Sequence, residues 1–496
     1  MKILFPIFLL ALFIRFLYFP DNVNFAYDQA RDSFASLEIL KGDFKILGPP
    51  TTAGATIFHG ALIYYVLAPI YFFSGNNPEV AAAIFRVVNA LGVFLVFYIG
   101  RLIFNNYVGL LSALLFALSF EQSQYSLFFG HPALGVFTIL IFYLGLALWI
   151  FKDRPIGFVI ALAGLGLTLQ FEDANIPLIL VFLLYLLIFH KQIKTLNMRT
   201  IFLGSLTFIL TISTFILAEI KYNFRMSQAI LSAISGLGVK ETDYGDVWMV
   251  IQRFIHDNFL ANQTLVPLLL IGFVISAGYL IRNHQNQIIF LAIWFLGGIS
   301  THMLNPSFTY YYSPGATVSL LIFVSLLIYL IFRKRKILAI IIFGIIIYSN
   351  LFLVINLNSK GPGSDIVIQA GMLTINQRRA LDYMYEKANQ EPFAVNALTV
   401  PLNVKTTWDY LFNWYGEKKY GYVPVWQGDS AAGFYGNLEI VNNRSELPEK
   451  RFTIIEPTVG IDVLHIDEFF RIENYFSKVI EKRHFGTIIV EVREVI

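Results

Sequence analysis

The sequence predicts a polytopic α-helical membrane protein with a small α/β domain at its C-terminal end, and three observations predict it. Of its 496 residues, 56% are hydrophobic and only 14% charged, where a soluble globule carries about 25% charged residues. Apolar runs of about 18 residues or more, enough to cross a bilayer as helices, recur from Ile3 to Phe352 and then stop. From about Leu357 onward the composition becomes that of a soluble domain. The expected division is therefore 1–357 for the transmembrane part and 358–496 for the soluble part.

Taken in order, a first span over about 3–20 is followed by a polar loop, Asn24 to Gly60, and an apolar segment, Gly60 to Phe73. No small-residue cleavage site follows the first run, so it reads as a retained span. The Gly60–Phe73 segment falls short of the roughly 20 residues a crossing needs. Rich in Tyr and Phe, it reads as a helix lying in the membrane interface. Further spans are expected near 80–104, 107–125, 131–151, 156–171, 175–190, 200–220, 264–281, 286–303, 313–332 and 337–356, about eleven in all. The tail alternates helix and strand: helices at 376–389, 406–415 and 462–475, strands at 393–398, 452–455 and 487–492. It shows no glycine-rich phosphate loop and no His cluster at metal-ligand spacing.

The turns sort by charge. Lys152 and Arg154, Lys191, Lys194 and Arg199, Arg282, and the run Arg333 to Lys336 mark one side, which the positive-inside rule assigns to the cytoplasm. The N-terminus is then cytoplasmic, while the opening loop, the 221–262 loop and the C-terminal domain face outward, as in a multi-pass protein of the cell membrane. The net charge of +3 is dispersed, which gives no reason to expect nucleic acid as a partner. With no cysteine, the chain has no disulfide and no thiolate chemistry.

Polar residues gather on the outward side: Asp28, Arg31, Asp32 and His59 in the opening loop, then Arg86, Glu121, His131, Glu172 and Asp173, Lys221 and Arg225, Arg253, and Tyr311. Groups at membrane depth without partners are costly, so such convergence points to a site. Asp28, Arg31 and Asp32 stand at helical spacing and share a face. Asp28 reads equally as a helix N-cap, and Arg31 with Asp32 as a surface ion pair. Arg86, inside an otherwise apolar span, reads as the partner of a buried or lipid-linked anion.

The segment FAYDQARD, a following amphipathic helix, GPP, and FHGALIYYVLAPIYFFSG resemble the GT-C membrane glycosyltransferases. Glycosyltransferase family 39, with its protein O-mannosyltransferases and aminoarabinose transferases, is the most similar branch. The resemblance covers about 350 residues in span order, interfacial helix and outward tail. It implies transfer of a sugar from a polyprenyl-phosphate donor to a glycan, lipid or protein acceptor on the outer face. By motif, Asp28 takes the place of the family's catalytic base, with Arg31 and Asp32 in supporting roles. Gln252, Arg253 and Phe254 match a Gln-Arg-Phe whose arginine binds the carrier phosphate, and Tyr311 falls in a tyrosine and proline stretch. His59 and His131 stand where relatives have acids, so the resemblance leaves the metal requirement open and admits a divalent cation. Arg86, Arg225 and Lys221 are further candidates for the donor phosphate.

A single carboxylate base, with no covalent sugar intermediate, implies inversion at the anomeric carbon. The rival reading is a transporter or a flippase for lipid-linked saccharides. Transporters show internal repeats and charge near the bilayer midplane; this sequence shows no repeat, and its polar residues lie at span ends.

Overall fold

A computed structural model describes residues 3–51, 54–236, 244–304, 312–364, 367, 369–428 and 430–496, so Tyr311 lies outside the described residues. The chain forms two compact units, and neither is continuous in sequence. One comprises Met1–Leu17, Lys45–Ile63 and Ala83–Asn358; the other comprises Tyr18–Phe44, Tyr64–Ala82 and Ser359–Ile496.

The first unit is helical. Pro78–Ile103, His131–Lys152, Gln263–His302 and Lys336–Lys360 are each long and apolar enough to cross a membrane, and Met198–Thr211 with Ser213–Lys221 makes a fifth if the pair, bent by 60°, crosses as one. Apolar helices such as Leu4–Phe16, Asn106–Leu118 and Ile156–Phe171 are shorter. Length alone therefore supports fewer crossings, among the described residues, than the eleven expected. One physical reason is that apolar runs are interrupted by local capping. The 107–125 run divides at Ser119, whose ψ of 126° leaves the helix and whose hydroxyl accepts the Gln122 N–H at the start of Phe120–Leu127. In Val266–Leu304, where two spans were expected, the break is a single residue, His284, at φ −135°, ψ 40°.

A buried guanidinium ties three helices of this unit together. Arg15 Nε donates to Asn89 Oδ1 at 2.7 Å, Nη1 to the Ala117 carbonyl at 2.7 Å and Nη2 to the Phe116 carbonyl at 3.1 Å. Beside it, Ile14, Leu118, Phe120, Leu353 and Val354 form a buried apolar cluster.

The second unit is built on a six-stranded mixed sheet in the order Ile440–Val441, Val425–Gln427, Phe393–Leu398, Lys450–Ile455, Ile488–Val495 and Ser477–Phe485. The first four strands are mutually parallel, and the last two are antiparallel additions. Phe393–Leu398 is buried along its whole length, which is why it reads as an apolar run. Ser477–Phe485 carries no such run: it is an edge strand buried only at its two ends, and its charges blunt the open edge.

Helices Tyr27–Leu40 and Leu62–Ser74, both from the opening region of the chain, are part of this unit. The Phe25 N–H donates to the Met372 carbonyl at 2.8 Å, the Thr374 N–H to the Val23 carbonyl at 2.9 Å, and Gln377 Nε2 to the Phe25 carbonyl at 2.6 Å. The Ser33 and Tyr71 hydroxyls meet at 2.6 Å, joining the two helices.

Candidate active site

The helix Tyr27–Leu40 begins at Ala26, whose extended backbone (φ −119°, ψ −165°) makes it the N-cap, and the Gln29 side chain reaches back to accept the Ala26 N–H at 3.1 Å. Asp28 is therefore not the cap. It sits in the first turn, where the free N–H groups of the helix start favour a negative charge. Arg31, one turn on, binds Asp28 Oδ1 through Nη1 at 2.7 Å and Asp32 Oδ1 through Nη2 at 2.9 Å. Its Nε also donates to that Asp32 oxygen at 2.9 Å, and the Tyr27 ring lies 5.4 Å from its centre.

The three side chains differ sharply in exposure: 54% for Asp28, 13% for Arg31 and 4% for Asp32. Burial would lower the Arg31 guanidinium, but Asp32 and then Asp28 outweigh it and hold the charge well above its usual range. The geometry presents one carboxylate to solvent, oriented by a cation whose own position is set by a buried second carboxylate.

A second cluster lies in the first unit. The hairpin of Pro50–Thr51 and Gly54–Phe58 delivers His59, whose N–H and carbonyl bond to Pro49 and Gly48, each at 2.9 Å. A Cβ at Gly60 would stand 2.1 Å from the Gln170 side chain and 2.6 Å from its carbonyl, so glycine is what lets this strand end close on the turn after Ile156–Phe171. In that turn His59 Nδ1 meets Asp173 Oδ1 at 2.7 Å. His131, the first residue of His131–Lys152, places its ring 4.9 Å from that of His59.

His59, Glu172 and Asp173 each bring a ligand atom to within 4.8 Å of the others. Glu172 Oε1 is buried with no hydrogen-bond partner among the described residues, so the cluster has an acceptor atom to spare. One imidazole and two carboxylates suit a divalent metal such as zinc or manganese.

The remaining candidates separate. Arg86 is buried, and its Nη1 donates to the Arg15 carbonyl at 3.0 Å. Glu121 is also buried: its Oε2 accepts from Asn258 Nδ2 and Thr317 Oγ1, each at 2.5 Å, and it lies within electrostatic reach of the half-buried Arg253. Asn258 and Thr317 were not singled out from the sequence, since neutral polar residues carry no pattern there. Lys221 and Arg225 are exposed at helix ends, with the Lys221 ammonium 5.4 Å from the Tyr222 ring. Of the residues named from the sequence, Asp28, Arg31 and Asp32 form one group, His59, His131, Glu172 and Asp173 a second, and Glu121 and Arg253 a third.

The fold is similar to those of solved ArnT and oligosaccharyltransferase structures. Residues 59–217 match the family model described as dolichyl-phosphate-mannose-protein mannosyltransferase. Among solved structures, ArnT from Cupriavidus metallidurans bound to undecaprenyl phosphate aligns over 98% of this chain and 97% of its own, at TM-score 0.62 and 10% identity. The Archaeoglobus fulgidus oligosaccharyltransferase in complex with Zn and sulfate aligns over 85% of this chain and 62% of its own, at TM-score 0.51 and 16% identity. The same archaeal enzyme, AglB, with an inhibitory peptide and a dolichol-phosphate, aligns over 85% and 64%, at TM-score 0.50 and 13% identity. No curated protein matches the sequence.

Proposed function

We propose that the protein is an inverting membrane glycosyltransferase that moves a sugar from a polyprenyl-phosphate donor to an acceptor on the outer face of the cell membrane. The observation that carries this reading is the oriented, solvent-facing Asp28 carboxylate beside Arg31 and Asp32, on a GT-C fold. The neighbours solved with undecaprenyl phosphate and with dolichol-phosphate support the donor class.

In the reaction Asp28 takes the proton of the acceptor hydroxyl as its oxygen attacks the anomeric carbon. The bond from that carbon to the phosphate oxygen breaks, and its electron pair leaves with the polyprenyl phosphate. One displacement with no glycosyl–enzyme intermediate inverts the centre. Arg31 holds Asp28 in place, and the second oxygen of the carboxylate remains for the acceptor. Arg253, with Arg225 and Lys221, neutralises the charge that grows on the departing phosphate. Arg86, which also donates to the Arg15 carbonyl, is a lesser candidate for the same role.

His59, Glu172 and Asp173 would hold a divalent cation. When bound, it would supply positive charge to the donor's phosphate. The N-terminus would be cytoplasmic, and the segment from 358 onward an extracytoplasmic domain.

The test is incubation of the purified protein with a panel of polyprenyl-phosphate sugars, following carrier-dependent transfer or slow hydrolysis by mass spectrometry of the released carrier. Turnover of one donor, lost in Asp28→Asn, supports the reading; turnover of none by the wild type sinks it. Topology is tested in the same cysteine-free background by single cysteines at the exposed Asp43 and at Ser364. An impermeant thiol reagent added from outside should label both.

A further inference from the structure

Within the second unit, the face of Tyr27–Leu40 that bears Phe34, Leu37, Glu38 and Lys41 borders a pocket of about 360 Å³, within the range of small-molecule sites (roughly 300–1,000 Å³). We propose that this pocket binds a saccharide, and that the acceptor is a glycan recognised here through its sugar rings. The acceptor part of this inference rests on the function proposed above.

One wall of the pocket is aromatic. The Phe34 and Tyr435 rings stack at 6.0 Å with 14° between their planes, and Tyr410 meets Phe34 edge-on at 5.3 Å. The Tyr410 hydroxyl donates to the Asn76 carbonyl at 2.9 Å, which holds that ring in place. Trp414 and Asn413 come from a π-helical turn, Phe412–Gly416, an irregularity that re-aims side chains and recurs at functional sites.

The opposite rim is prebuilt. The buried Lys405 and Asp409 pair at 2.6 Å; Lys405 donates to the Leu438 carbonyl at 3.1 Å, and Asp409 accepts the Leu438 N–H at 2.9 Å. Gly436, at φ +146°, lies so close that a Cβ would stand 2.4 Å from Asp409 Oδ2. Asn413 Nδ2 then donates to Asp409 Oδ1 at 2.9 Å and to Asn437 Oδ1 at 2.8 Å, which orients both amides at the pocket.

Flat rings for the C–H face of a pyranose, combined with amides, two carboxylates and an ammonium for its hydroxyls, are the groups a saccharide needs. A lipid tail would bury Glu38, Lys41 and Glu417 against hydrocarbon, and a phosphate would face two of these as carboxylates and only one as a cation. Position on the helix agrees. Phe34 and Lys41 follow Asp28 by about 9 and 20 Å along the axis, at roughly 1.5 Å per residue. A sugar held here would be several units removed from the hydroxyl presented to Asp28.

The test uses the full-length protein in lipid nanodiscs, titrated calorimetrically with cello-, malto-, manno- and chito-oligosaccharides of two to four units. At least one should bind saturably. Asn413→Ala and Phe34→Leu should each weaken it about tenfold while the thermal unfolding curve keeps its midpoint. In transfer assays KM for that glycan should rise by the same factor, with kcat within about twofold. No binding at millimolar concentration, binding indifferent to both variants, or a fall in kcat alone would overturn the proposal. Binding needs no donor, so saccharide binding without transfer would remove the proposed activity and keep the pocket, while transfer without saccharide binding would do the reverse.

Discussion

The two clusters of acidic and basic side chains were assembled in different ways. Asp28, Arg31 and Asp32 lie within five residues on one helix, and the helical repeat alone brings them together. His59, Glu172 and Asp173 come from a hairpin end and a helix–helix turn more than a hundred residues apart, and only the closing of the chain at Gly60 brings them together. The local cluster already contains its own cation, so its buried carboxylate is paired. The assembled cluster ends with a buried carboxylate oxygen that no group among the described residues satisfies. The first cluster balances its charges within one helix; the second leaves an acceptor atom that a bound cation would use.

The largest expected effect belongs to the local cluster. Asp28→Asn should lower transfer by roughly 10²–10⁴, the usual contribution of a positioned base, with expression and membrane insertion intact. Activity within tenfold of wild type would move the base elsewhere.

Next comes the partner charge. Arg31→Gln takes from the buried Asp32 the guanidinium that pairs with it at 2.9 Å, which should cost about 3–5 kcal/mol, read as a lowered unfolding midpoint; Arg31→Gln with Asp32→Asn should recover most of it. If the double variant is no more stable than the single one, the pair is not what orders this helix.

A third carboxylate extends the contrast to the sheet unit. Glu456 is buried with no cation, and accepts from Gln369 Nε2 at 2.6 Å, Trp408 Nε1 at 2.9 Å and the Val400 N–H at 2.9 Å. Burial nonetheless pushes its carboxyl up to about 7 from 4.5. The folded state then holds the proton that the unfolded chain releases, so this contribution is complete below about pH 4.5 and is lost as pH rises through about 7. Glu456→Gln should flatten that part of the stability–pH curve, an effect on the order of a few kcal/mol. An unchanged slope would mean that the three donors keep the group ionised.

The smallest effect concerns the assembled cluster. Calorimetric titration with zinc or manganese should show a single divalent site, and Glu172→Gln or His59→Ala should weaken it at least tenfold. Equal affinity in the variants would place any cation elsewhere.

Much of this was legible in the sequence. The Asp28, Arg31, Asp32 spacing was readable because a helix repeats every 3.6 residues, and the Phe393–Leu398 strand because burial on both faces leaves an unbroken apolar run. The edge strand Ser477–Phe485 was not, because one half-solvated strand can be charged nearly throughout. Nor was the bond from Arg86 to the Arg15 carbonyl, since a backbone acceptor 71 residues away leaves no pattern in the sequence.

Composition and periodicity by themselves determined that this chain is a helical membrane protein with an α/β tail, since the hydrophobic effect and backbone geometry act residue by residue along the chain. They also marked Asp28 as a candidate. Only the tertiary structure decided which carboxylate is exposed and which is buried. It also joined the opening helices to the C-terminal sheet in one compact unit and brought His59 to Asp173. Those outcomes depend on contacts between residues far apart in sequence, and contact energies of that kind leave no periodic trace in the sequence.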